Sequence, residues 1–274
     1  MTDYREAGTL AVAVCALAAS MSPALAAGVQ LVPHRAVYAV ALDEASDRSG
    51  INDMRGRIVY EFRGSACAGY TTNFRFVTQI ASRAGARVTD QQTTTFEEGD
   101  GSLFRFVTRT FVDQEPDRTI EGTAERTDDA TLVTLTEPED AAFELDPAAF
   151  PTAHMIDLIE RADAGERFYE KKIYDGSDDA DKVMTTTVII GPEKTEEAED
   201  RDALDPIADS PFRNVSVAYF DELAQGEGEG LPDYRIAFKM HDNGITRSLE
   251  MDYGDFSLTG TMEELELFEL EECD

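Results

Sequence analysis

Alternation of period two runs through most of this chain and limits what it can fold into. Successive side chains of a strand point to opposite faces, so a sheet with one wet face reads apolar and polar in turn. "AVYAVAL" puts Tyr38, Val40 and Leu42 on one face, and "RIVYEFR" sets Ile58, Tyr60 and Phe62 against Arg57, Glu61 and Arg63. "NFRFVTQI" sets Phe74, Phe76 and Ile80 against Arg75 and Gln79. The pattern returns in "SLFRFVTRTFV", "TIEGTAERT", "ATLVTLT", "RFYEKKIYD", "KVMTTTVIIG", "RNVSVAYFDE", "YRIAFKMH", "TRSLEMDYG" and "LTGTMEELELFELEE". Roughly a dozen or more strands lie close to the number at which an open sheet must curl. The expected fold is therefore all-β.

The last fifty or so residues, on the scale of a few hairpins, read as an antiparallel meander. "HDNG" supplies the Asn243-Gly244 pair that favours a type I′ turn, and "YGDF" supplies the next reversal. In the final strand the apolar set changes parity from Leu265 and Leu267 to Phe268 and Leu270, which predicts a β-bulge there. One segment predicts a helix: "DPAAFPTAHMIDLIERADAGE", with Phe150, His154, Ile156 and Ile159 at helical spacing and Gly165 to stop it. Such a helix would cover one mouth of a curved sheet or fill its concavity. The acidic "GPEKTEEAEDRDALDPIADSP" predicts a mobile loop, and "QGEGEGLPD" a Gly-rich connection. Neither marks a domain boundary, and there is no internal repeat.

At the other end, "TLAVAVCALAAS" is an apolar run of leader length, followed by the small-x-small pattern Ala24-Leu25-Ala26. The expectation is a signal peptide over residues 1–26 and one exported unit over residues 27–274, with no later apolar run long enough to span a membrane. The leader is atypical, because Asp3 and Glu6 outnumber Arg5 ahead of the apolar run. Lipidation at Cys15 is the competing idea, and it suffers from Val14 standing where a small residue is expected.

Cleavage would leave Cys67 and Cys273, 206 residues apart, as the only thiols. In an exported chain two cysteines read as one disulfide. Two unrelated buried thiols remain the alternative; a zinc site would need ligand spacing that these cysteines and His34, His154 and His241 lack.

Charge decides which partners to set aside. With 24 basic against 56 acidic residues the formal charge is −32, which repels nucleic acid and anionic membrane surfaces alike. A calcium reading of "DGSDDAD", through Asp175, Ser177, Asp179 and Asp181, fails at Ala180 and Thr186, where an EF-hand loop needs Gly and Glu. No nucleophile elbow, phosphate loop or dinucleotide fingerprint occurs. No metal and no cofactor are expected, and the chain reads as a binding or scaffolding protein without catalysis. The alternative is an envelope hydrolase using His34, His154 or His241 with carboxylates. An outer-membrane barrel is disfavoured by zero Trp, a terminal Asp and no second apolar face. A curved sheet of this size would leave a groove for a lipid, acyl chain or peptide, or would fill itself with its own Phe and Tyr side chains.

The block "LVPHRAVYAVALDEASDRSGINDMRGRIVYEFRGSACAGYTTNFRF", with the closing Cys273-Asp274, resembles the EipB family of periplasmic cell-envelope integrity proteins, formerly a domain of unknown function. That resemblance implies a β-spiral, an open barrel of about fourteen antiparallel strands with one short helix. It also implies a disulfide between an early connection and the C terminus, here Cys67 to Cys273. Periplasmic location and a lipid, lipoprotein or envelope-protein partner follow from the same likeness, since the family is similar in shape to lipoprotein carriers.

Overall fold

A computed structural model of the protein describes residues 28–177, 179–195, 205–208, 210–221, 230–271 and 273. The leader expected over residues 1–26 lies outside them, as do 196–204 of the acidic connection and 222–229 of the Gly-rich one.

The chain forms one 14-stranded antiparallel sheet. A first meander runs through β1 (His34–Ala45), β2 (Ile51–Ser65), β3 (Gly69–Ser82), β4 (Gly85–Glu97), β5 (Leu103–Val112), β6 (Glu115–Arg126), β7 (Thr131–Glu137) and β8 (Ala141–Leu145). The helix α1 (Pro151–Asp163) follows. A second meander runs through β9 (Phe168–Ile173), β10 (Met184–Lys194), β11 (Phe212–Phe220), β12 (Tyr234–His241), β13 (Thr246–Asp252) and β14 (Phe256–Leu267). The two meanders join where β1 pairs β14, so the sheet's edges are β8 and β9. Those edges are drawn together by the segment leading into α1, where Ala149 forms a parallel bridge with Ile173. This is an open barrel, curled around its helix.

Two of the fourteen strands escape a reading by alternation. β4 is exposed or half-buried along nearly its whole length, with Thr93, Thr94 and Thr95 keeping it extended by their branched side chains rather than by an apolar face. β8 is only five residues long.

Three local expectations need correction. The extra residue in β14 is Glu263, because Tyr38 pairs Met262 while Val37 pairs Glu264. The buried set therefore changes parity at Glu263, and the strand ends before Phe268, whose N–H donates to Pro33 O at 2.8 Å. The reversal at Asn243-Gly244 is not type I′: only Gly244, at φ +85°, has a positive φ, and its N–H donates to His241 O at 3.0 Å. That is a type I turn followed by a left-handed glycine, the arrangement of a three-residue hairpin loop, Asp242-Asn243-Gly244, between paired His241 and Ile245. The acidic loop also begins later than expected, since β10 continues to Lys194, and Ile207 further on is buried against the inner face of the sheet.

The interior holds three apolar clusters. Leu158, Ile159 and Ala162 of α1 pack with Tyr169, Val188, Ile190, Val215 and Val217. Tyr38, Val40, Ile58, Met251, Leu258 and Met262 form a second cluster along the β1–β14 seam. Phe104, Phe106, Val133, Phe150 and Tyr174 fill the end of the spiral beneath β5–β8.

Cys67 lies on the connection between β2 and β3 and is joined in a disulfide to Cys273, with Cα atoms 5.9 Å apart. Beyond β14 the tail is also held by Phe268, whose ring lies 3.8 Å from the Arg63 guanidinium carbon.

Candidate functional site

The spiral does not fill itself. Between α1 and the inner faces of β1–β5 and β11–β13 lies a cavity of about 500 Å³. That volume is within the range of small-molecule sites, roughly 300–1,000 Å³. Phe62, Phe74, Phe76 and Phe238 supply its aromatic wall, with Ile58, Ile236, Leu249 and Met251 between them. Alternation explains the wall: Tyr60, Phe62, Phe74 and Phe76 are inward positions of paired strands, with Ile58 opposite Phe76 and Tyr60 opposite Phe74. Phe74 and Phe76 point inward yet stay only half-buried, because the space they face is empty.

α1 forms the lid of this space through Pro151, Thr152, His154, Met155 and Leu158. Phe150 stands at its N-cap and contributes no side-chain cap. The cap comes instead from Glu97 at the end of β4: the Thr152 and Ala153 N–H groups donate to Oε2 and Oε1, each at 2.8 Å. A carboxylate at a helix N-terminus satisfies orphan donors and meets the positive end of the dipole. Glu97 is 2% exposed, and burial lifts its pKa above the usual carboxylate range despite those two bonds.

Threonine and tyrosine hydroxyls dot the cavity surface, and its other ionisable groups are His34, His154 and Asp175. His34 Nδ1 lies 2.7 Å from Val32 O, which fixes Nδ1–H as the donor and leaves Nε2 as an acceptor. Its ring packs beside Tyr60 and Phe62, with centroids 5.5 and 6.1 Å away, and burial lowers its pKa. His154 Nε2 is 3.4 Å from the Tyr169 hydroxyl, and burial brings its pKa down to about 4. Tyr60 is raised to about 12, first by burial. Asp175 also lines the cavity, on the connection after β9, with Oδ1 accepting from Ser177 N–H at 2.9 Å. Next to it Gly176, at φ +68°, presses on the Phe106 ring so closely that an added Cβ would sit 2.7 Å from it.

The three histidines do not converge. His241, with its pKa lowered to about 4 by burial and then by Arg247, packs against Phe212 and accepts from Arg247 Nε at 3.2 Å. Among the described residues none of the three hydrogen-bonds to a carboxylate, a serine or a cysteine. The acidic "DGSDDAD" segment puts Asp179 against Arg118 and Asp175 in the cavity wall, so these two carboxylates are used separately. Two features of the site had no signal in the sequence. Glu97 reaches α1 from 55 residues away, and Asp175 sits in a stretch whose spacing suggests a cation loop.

The profile of the EipB-like family matches residues 25–269. The cell envelope integrity protein EipB of Brucella abortus is 47% identical over 245 residues, spanning 89% of this chain and 87% of that protein. A crystal structure of a β-barrel-like protein of a domain of unknown function, also from Brucella abortus, superposes with a TM-score of 0.84 at 46% identity, covering 88% of this chain and 100% of that one. On match length, identity and shared architecture, this chain belongs to the EipB-like family.

Proposed function

We propose that this protein is exported to the periplasm, supports the integrity of the cell envelope without catalysis, and does so by holding an apolar cargo inside the spiral. Residues 1–26 act as the leader, and residues 27–274 form the exported unit. The cargo is a lipid or the acyl chains of a lipoprotein or envelope protein. One observation carries this reading: the cavity of about 500 Å³, walled by inward aromatic side chains and lidded by a helix. An apolar space of this size gains its stabilisation when apolar surface enters it, at roughly 25 cal/mol per Å² removed from water. The envelope role is supported by the relative of the same architecture that carries it in its name. The scattered, mostly neutral polar groups are suited to solvating a ligand's edge, whereas nucleophilic catalysis needs a nucleophile and base within hydrogen-bond reach. The Cys67–Cys273 bond serves as a staple that holds the tail beyond β14 at the β2–β3 connection.

Native mass spectrometry of protein recovered from the periplasm without reductant tests this. The expected result is a chain lacking its first 26 residues, two protons lighter than its reduced form, with a reproducible apolar species bound. A protein with no bound species after several mild preparations, and unable to take up any acyl chain added to it, would remove the cargo and leave a scaffold.

A further inference from the structure

The cavity wall has a sign. Among the described residues that line it there is no Lys and no Arg, and its one formally charged group is Asp175. No cation pairs with Asp175 among the described residues; its Oδ1 is used by the Ser177 N–H. The two histidines on the wall do not supply a positive charge at neutral pH. Burial lowers the pKa of His34, and that of His154 to about 4. Behind Tyr60 and Tyr70 stands buried Glu97, whose charge acts on both phenols, and Asp175 acts in the same way on Tyr219. The remaining surface is aromatic, aliphatic and threonine, without formal charge, and the faces of its Phe and Tyr rings are themselves electronegative. Outside, the chain carries a net charge of −32.

We propose that the cavity accepts acyl-chain amphiphiles with a positively charged head, seated against Asp175 and the neighbouring aromatic faces, and turns away those ending in a carboxylate or phosphate. This deepens the cargo reading and rests on it. An anionic head drawn into such a wall would be desolvated with no cation to meet it, beside a like charge. An ammonium would find both a carboxylate and ring faces, the pairing used wherever quaternary ammonium groups are recognised.

The test is displacement of the uncharged fluorophore N-phenyl-1-naphthylamine from the disulfide-intact exported chain. Decyltrimethylammonium, decanoate and uncharged decyl maltoside compete in turn, each below its micelle concentration. The ammonium is expected to displace the probe at concentrations about tenfold or more below those decanoate needs. Asp175→Asn keeps the oxygen that accepts from Ser177 and should erase most of that advantage while leaving decyl maltoside unchanged. Adsorption to the acidic surface would survive Asp175→Asn, because that variant alters one charge among many; an undiminished ammonium preference in the variant therefore overturns the proposal. Decanoate competing as well as the ammonium also overturns it, with the cargo reading intact. Failure of the probe and all three amphiphiles to bind would sink the cargo reading and the proposal together.

Discussion

Phe76 of β3 and Phe104 of β5 are both inward-facing phenylalanines of the same sheet, and they end in different surroundings. Phe104 is 1% exposed, with the rings of Phe150, Phe106 and Tyr174 at centroid distances of 5.2, 5.6 and 6.4 Å. Phe76 meets Phe74 at 6.4 Å and then looks into open space. The difference lies in what crosses the spiral. Beneath β5–β8 the chain itself returns twice, through Ala148–Phe150 on its way into α1 and through Tyr174–Ala180 on its way out of β9. Over β2–β4, among the described residues, one side of a helix returns, with Ile207 joining the neighbouring seam cluster, and a gap is left. Alternation decides which side chains face inward, while the path of the connections decides whether they are met.

The comparison can be broken by removing one aromatic from each end. Phe150→Ala at the filled end should cost about 3–5 kcal/mol of stability, the usual range for a buried Phe. Urea denaturation of the two variants side by side settles it, since Phe76→Ala is expected to cost only about 1 kcal/mol because its ring is already half-solvated. Equal losses at the two positions would mean that the cavity collapses in solution.

Cys273→Ser comes next in size. A loop of 206 residues is worth roughly 5 kcal/mol in the chain-entropy picture, and native strain usually brings that down to about 2–4. The loss should appear only against oxidised protein; reduced wild type and variant should melt together. Glu97→Ala, which strips the carboxylate from the first turn of the lid, should cost about 1–2 kcal/mol and loosen probe binding as well, because α1 is shared by both regions. A stability loss with unchanged binding would separate the lid from the cavity it covers.

A smaller effect lies in the pH profile. His154 titrates near 4 in the folded chain, and an unfolded histidine titrates near 6.5. Between those values the unfolded state holds more protons, so the contribution of His154 to stability falls as pH falls, by at most about 1.4 kcal/mol per unit. His154→Asn should flatten the dependence of stability on pH between 6.5 and 4.5, measured by urea denaturation at several pH values. An unchanged slope would place the His154 ring in water.

Much of the fold was legible because one face of nearly every strand is apolar. β4 was not, since Thr and Gln occupy both of its faces, and β8 was too short to show a period. The phase slip in β14 was visible, but its position was not: Glu263 and Glu264 are adjacent polar residues, and only the pairing to Val37 and Tyr38 tells which is the extra one. The type I′ expectation failed because Gly244 alone takes a positive φ, closing a three-residue loop in which a type I turn precedes it. At the site, the inward aromatics were legible and the cavity was not, because one-dimensional alternation carries no measure of the distance to the opposite wall. The cap from Glu97 and the placement of Asp175 depend on contacts between elements far apart in sequence.

The pairing of β1 with β14 also sets an order of events. Every other strand pair in the sheet joins neighbours in sequence, and those hairpins can form as the chain is made. The β1–β14 seam joins Tyr38 to Met262, so it cannot close until β14 has been made, and Cys67 waits in the same way for Cys273. A chain delivered N-terminus first thus has its two meanders linked only through α1 and the contacts around it until β14 arrives. Completion of the spiral, the cavity within it and the covalent tie then come only after β14 and Cys273 have been made and delivered.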